Sequence, residues 1–211
     1  MGKRIAVFAS GGGTNLQAVM DACRDGRIQG EVALVIYNRK NAYARVRAED
    51  GGVPVRYINK LMFKTTEEKD AAIRDALREH RIDIIVLAGY LDILGPSVVA
   101  AYRHRIVNTH PALIPAFCGM GYYGERVHQA VIDYGVKVSG CTIHLVDEGA
   151  DTGPILLQET VPVRPDDDAK TLAARILPVE HRLLPVAVAL LCADRVRLEG
   201  RRTVILPDCK E

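Results

Sequence analysis

Lys3 to Ala9 is a short apolar run that passes directly into Ser10-Gly-Gly-Gly-Thr-Asn15 and then into a helical repeat. That repeat, Asn15 to Asp25, carries Leu16, Val19, Met20 and Cys23 at i, i+3, i+4 and i+7, the spacing of an amphipathic helix. The unit recurs. Glu31 to Tyr37 reads as a second strand, and Ala42 to Asp50 as a helix stopped by Gly51-Gly52. Val55 to Ile58 is a short third strand. Thr65 and Glu68 form a capping-box pattern before a helix reaching His80, whose sparse apolar positions, Ile73 and Leu77, place it on the surface. Ile82 to Leu87 is apolar throughout, so it is expected at the centre of a parallel sheet. Alternation of this kind argues for a doubly wound α/β fold, a mostly parallel twisted sheet with helices on both faces. Ligands of such sheets bind outside the carboxyl ends of the strands.

The second half is less regular. Arg105 to Asn108 is a short strand and Tyr123 to Tyr134 a helix. Val136 to Leu145 and Ile155 to Val161 are strands joined by the acidic loop Val146 to Pro154. Ala169 to Ala193 has a helical pattern in which Pro178 and Pro185 are expected to start, kink or break the helix. Val196 to Glu199 and Thr203 to Leu206, split by Gly200, read as a terminal hairpin.

With 211 residues, one α/β domain is the simplest organisation. A net charge of +2 and the lack of a basic run argue against a nucleic-acid partner. No stretch approaches the roughly 20 apolar residues of a membrane span. The first apolar run is too short for a secretory signal. The five cysteines, Cys23, Cys118, Cys141, Cys192 and Cys209, are scattered and lack a CxxC pair. A disulfide framework or zinc site is not expected, and a reducing cytoplasm fits.

Three segments carry chemistry. Ser10 to Asn15 joins a strand to a helix, where glycines let backbone N–H groups approach an anion and the helix N-terminus adds partial positive charge. The loop lacks the Gly-Lys-Ser/Thr of a Walker A loop and the spacing of GxGxxG. It is either a phosphate cradle or a plain tight turn. Asn108-Thr-His110-Pro111-Ala-Leu-Ile-Pro115 places an imidazole able to exchange protons near neutrality two residues after an amide able to donate to an oxyanion. The alternative is a structural turn capped by a histidine. Asp147-Glu-Gly-Ala-Asp151-Thr-Gly153-Pro154 is either a solvated acidic turn or the source of a carboxylate that orients a histidine. His80, His104 and His128 read as surface residues, and His144 as either site lining or core. No spacing suggests a metal ligand set.

Together these segments resemble the glycinamide ribonucleotide formyltransferase family. The resemblance runs from about Arg4 to Pro185, and its most specific stretches are ASGGGTNLQA, LAGYLDILGP, NTHPALIP and GVKVSGCTIHLVDEGADTGPILLQETVPV. It implies one Rossmann-like formyltransferase domain over residues 1–211, with a phosphate-binding half to about 104 and a folate and catalytic half from about 105. The family's catalytic asparagine, histidine and aspartate fall on Asn108, His110 and Asp151, and its phosphate loop on Gly13, Thr14 and Asn15. A glutamate near the ribose falls on Glu180. The folate pocket falls on Leu91, Asp92, Ile93 and Leu94, on Asn108, and on the loop from Val146 to Asp151. The resemblance also implies a cis Ile114-Pro115 bond.

The implied activity is transfer of a formyl group from 10-formyltetrahydrofolate, a cosubstrate, to the amine of glycinamide ribonucleotide, with no metal. The expected partners are these small molecules, with no nucleic acid and no membrane, and the chain is expected as monomer or homodimer. Asn108 and a protonated His110 would stabilise the oxyanion, with Asp151 keeping His110 charged. Formyltetrahydrofolate hydrolysis is the nearest alternative, though such relatives usually carry an N-terminal regulatory domain for which this chain has no room. Three departures leave the trio itself unaltered. Asp92 stands where many relatives carry arginine, Leu177 where some carry lysine, and Cys118 to Gly124 replaces a shorter segment.

Overall fold

The computed structural model describes residues 2–208, so Cys209 lies outside the described residues. Five strands form a parallel sheet: β1 (Lys3–Ala9), β2 (Gly30–Tyr37), β3 (Val55–Tyr57), β4 (Ile84–Leu87) and β5 (Ile106–His110). Two antiparallel strands, β6 (Val138–Leu145) and β7 (Ile155–Pro162), extend it. The order is β3-β2-β1-β4-β5-β6-β7, which puts the apolar β4 at the centre as its composition requires. The terminal hairpin pairs β8 (Val196–Glu199) with β9 (Arg202–Ile205) as a separate two-stranded sheet.

The period-2 alternation of β1 divides the core. Ile5, Val7 and Ala9 belong to one cluster and Ala6 and Phe8 to the other. The first face is covered by α1 (Thr14–Arg24), α2 (Tyr43–Asp50), α5 (Glu125–Tyr134) and α6 (Ala169–Cys192), and the second by α3 (Thr66–Glu79) and α4 (Pro96–Ala101). α4 was not legible in the sequence, because six residues are too few to show a helical period. In α3, Ile73 and Leu77 are buried as expected, and so are Lys69 and Asp70. Thr65 Oγ1 accepts from the Glu68 N–H, while the Glu68 carboxylate reaches back to the Lys64 N–H.

α6 runs unbroken through Pro178 and Pro185, so of the expected effects neither a start nor a break occurs. Each proline leaves the carbonyl one turn back, at Ala174 or His181, without its helical donor, a loss of about 3 kcal/mol. Leu172, Ile176, Leu184 and Val188 are fully buried on the same helix, each contributing about 1.5–3 kcal/mol. Tertiary packing therefore outweighs the prolines. Among the described residues no helix is long and apolar enough to cross a membrane.

Strand order reverses between β1 and β4, since β2 and β3 lie to one side and β5 to the other. The crevice at the carboxyl ends of these strands is where such a sheet binds ligands. The two loops that flank it are tied together: Ser10 N–H donates to the Gly89 carbonyl at 3.1 Å, and Ser10 Oγ accepts from the Leu91 N–H at 2.8 Å.

Candidate active site

The glycine loop leaves β1 and enters α1 at Gly13, whose φ of 72° suits glycine. A Cβ at Gly13 would lie 2.7 Å from Ala44 Cα, so packing alone explains that glycine. Packing does not explain Gly11 and Gly12, which are exposed and face open space. No side chain caps α1, and its first turn holds no acid. The first turn of α1 thus lacks a side-chain cap, and the exposed Gly11 and Gly12 place no bulk beside it, an arrangement open to an anion. Arg47, not singled out from the sequence, donates through Nε to the Gly12 carbonyl at 2.8 Å and braces the loop from α2.

Asn15 turns inward, and its Nδ2 donates to Glu180 Oε2 at 2.6 Å. Residues 165 positions apart are joined because α1 packs on α6. Burial raises the Glu180 carboxyl pKa, against the opposing pull of the Asn15 hydrogen bond. Asn15 Oδ1 is buried without a partner.

β5 runs two residues past its expected end, so Asn108 and His110 sit on the strand and share one of its faces. The antiparallel register sets His144 of β6 directly opposite Asn108. Of the two readings open to His144 it therefore takes the site-lining one, which the sequence left undecided because pairing register is not visible in a single strand. Its Nδ1 is 2.9 Å from the Leu145 carbonyl and must donate there, which leaves Nε2 to accept from Asn108 Nδ2 at 3.0 Å. The second Asn108 N–H is held only loosely, with Asp151 Oδ1 at 3.5 Å.

Asp151 lies in the loop between β6 and β7 at a φ of 57°. Its Oδ2 accepts from the Gly119 N–H at 2.9 Å and faces His110 Nδ1 at 3.5 Å, and its Oδ1 faces His144 Nε2 at 3.5 Å. Burial opposes its charge, but His144 and His110 when protonated, together with the Gly119 N–H, hold its carboxyl below the usual range. Asp147, by contrast, binds its own loop at Thr152 Oγ1 and the Gly149 N–H. The acidic loop is thus part turn and part site. Its fit is tight at Gly153, where a Cβ would lie 1.8 Å from the Leu145 carbonyl oxygen. Gly153→Ala is expected to destabilise the fold by about 2–4 kcal/mol, a melting-temperature drop of roughly 5–15 °C. Gly11→Ala, with open space around it, is expected to melt like the parent, and calorimetry of the two checks this.

His110 is buried, and its Nε2 lies 2.8 Å from the Phe117 carbonyl, so Nε2 carries a proton. Nδ1 is left to face Asp151. Burial lowers the His110 pKa more than Asp151, the neighbour expected to keep the ring charged, and the Phe117 carbonyl raise it, so it lies below the ordinary histidine value. His128 is corrected: it is buried on α5, where burial and the nearness of His110 lower its pKa. His104 is exposed as expected. The departure at Cys118–Gly124 reaches the trio after all, since Phe117 and Gly119 at its edge bind His110 and Asp151. The Ile114-Pro115 bond is cis.

A cavity of about 330 Å³ opens beside the trio. Leu91, Asp92, Ile93, Leu94, Asn108, Val146 and Asp151 all line it, with His144 and the exposed Tyr122 and Tyr123. Asp92, Ile93 and Leu94 also line a second hollow of about 590 Å³. Among the described residues no histidine, cysteine and carboxylate cluster could hold a metal ion.

Comparison with known proteins follows the same outline. A family model described as formyl transferase matches residues 3–188. The phosphoribosylglycinamide formyltransferase of Haemophilus influenzae is 38% identical, over 93% of this chain and 91% of its own. The chloroplastic phosphoribosylglycinamide formyltransferase of Vigna unguiculata is 41% identical over 92% of this chain, which spans 62% of that longer protein. The crystal structure of glycinamide ribonucleotide transformylase 1 from Symbiobacterium toebii superposes with a TM-score of 0.92 at 42% identity, covering 97% of this chain and 94% of that one.

Proposed function

The chain belongs to the formyl transferase family, and from that premise we propose that it transfers the formyl group of 10-formyltetrahydrofolate to the amine of glycinamide ribonucleotide. The observation that carries this reading is the meeting, at one switch-point crevice, of an uncapped glycine loop and a cluster of buried His110 with half-buried Asn108 and Asp151 beside a cavity. A water-using hydrolase would have no need of the phosphate cradle. A reducing cytoplasm is the compartment we assign, in keeping with free Cys23, Cys118, Cys141 and Cys192.

The ribonucleotide phosphate docks on Gly13, Thr14 and Asn15, and Glu180 binds the ribose. Binding energy far from the reacting amine then holds that amine in place. The folate lies along Leu91 to Leu94 and Val146. The neutral amine attacks the formyl carbon, and the loosely held N–H of Asn108 turns to the oxyanion. His110 begins neutral and takes the amine proton on Nδ1, directly or across one water. The imidazolium so formed is stabilised by Asp151, which explains why two acceptors face each other at 3.5 Å in the resting site. The same proton passes to the folate nitrogen as its bond to the formyl carbon breaks. No net proton is gained or lost by the protein.

This sequence has a pH signature. Neutral His110 is the active form, so turnover at saturating substrates is present above its pKa and lost as pH falls through it. That limb is expected below the ordinary histidine value of about 6.5. Asp151 raises the His110 pKa, so Asp151→Asn is expected to move the limb to still lower pH while slowing the plateau rate. A limb that moves upward in the variant sinks the assignment to His110. The function itself is tested by tetrahydrofolate release from the purified protein with and without glycinamide ribonucleotide. Release that requires the ribonucleotide supports transfer, and equal release without it overturns the proposal in favour of hydrolysis.

A further inference from the structure

We propose that Lys69 of α3 is a positioning residue for the folate, acting through Asp92 and the Ile93 carbonyl to hold the Leu91 to Leu94 segment in its binding shape. The inference rests on the formyl-transfer reading only for the identity of the ligand. Lys69 is 5% exposed, far below what a lysine on a surface helix shows. Its Nζ donates to Asp92 Oδ2 at 3.0 Å and to the Ile93 carbonyl at 2.9 Å. Asp92 in turn accepts the Ile93 N–H on Oδ1 at 2.9 Å, so both polar groups of the Ile93 backbone are fixed by one ion pair.

The neighbouring residue extends the clamp. Asp70, 1% exposed, accepts from the Gly95 N–H at 3.1 Å and from Ser97 Oγ at 2.9 Å. Gly95 leaves room for that carboxylate, since a Cβ there would lie 2.3 Å from it. At the other end Ser10 Oγ holds the Leu91 N–H. The segment from Leu91 to Gly95 lies in neither a helix nor a strand before α4 begins, so these side chains set its shape. Asp92, Ile93 and Leu94 line both hollows.

The arrangement also accounts for Asp92. Here the acidic side chain turns back into the protein and is consumed by Lys69, with 17% of it exposed. A buried ion pair is an uncertain source of net stability, but removing one partner strands a charge. The pair is therefore better read as a shape-setting device than as a stabiliser.

The test separates shape from stability. Lys69→Met is compared with the double variant Lys69→Met/Asp92→Leu, which removes the pair without leaving an unpaired charge. Each is assayed for melting temperature, for tetrahydrofolate affinity by titration, and for the KM of each substrate. Expected are a lowered melting temperature in the single variant and recovery in the double, with tetrahydrofolate binding and folate KM weakened on the order of tenfold in both. The ribonucleotide KM stays within about twofold. Recovery of folate affinity along with stability in the double variant overturns the proposal, as does unchanged affinity in the single one. The titration does not depend on which acceptor the formyl group reaches, so failure of the transferase reading would show separately, as a wild type that binds tetrahydrofolate but transfers nothing to the ribonucleotide.

Discussion

Replacing His110 by alanine lowers ribonucleotide-dependent formyl transfer by about a hundred- to ten-thousand-fold, the range set by loss of a general acid–base group. The ring has Nε2 pinned as a donor to the Phe117 carbonyl and Nδ1 left as an acceptor facing Asp151. His144 cannot take its place, with its Nε2 engaged by Asn108 and its Nδ1 by the Leu145 carbonyl. His128 lies on α5 with its charge disfavoured by burial. The loss is expected in kcat, with the ribonucleotide KM little changed, because the phosphate loop does not touch His110. Steady-state kinetics beside a thermal melt separates this from misfolding. A variant that retains a tenth or more of the parent rate would show that another group moves the proton.

Asn108→Ala is expected to slow kcat by about a hundred- to a thousandfold, or roughly 3 kcal/mol in the barrier, the loss measured when one oxyanion donor is removed elsewhere. The same change strips His144 Nε2 and Asp151 Oδ1 of their donor. It therefore also raises the electrostatic cost of keeping Asp151 ionised. Asn108→Asp, which offers an acceptor where a donor is needed, is expected to be at least as slow. A near-normal rate in the alanine variant would mean that the oxyanion is stabilised by backbone or solvent.

Much of this site could be read from the sequence because its parts are local. The strand–glycine loop–helix unit is contiguous, and Asn108 and His110 share a face by simple alternation. The folate-wall residues Leu91 to Leu94 form one run after a central strand. What escaped was tertiary. The pairing of His144 with Asn108 depends on the β5–β6 register, and the Asn15–Glu180 bond on how α1 crosses α6. Lys69 and Asp70 look like ordinary polar residues on a surface helix, and only the position of the segment from Leu91 to Gly95 reveals why they are buried. The continuity of α6 through two prolines has the same origin, since local propensity was read without the packing that overrides it. The carboxylate that raises the His110 pKa is visible in the sequence, while the burial that outweighs it is not.

The most direct test of the central claim is to follow the carbon itself. Purified protein is given 10-formyltetrahydrofolate labelled with carbon-13 in the formyl group, together with glycinamide ribonucleotide, and the products are resolved by mass spectrometry. The account predicts that the label appears in formylated ribonucleotide in step with tetrahydrofolate release, with free formate at the level of a protein-free control. Label recovered as formate, with the ribonucleotide unchanged, would contradict it.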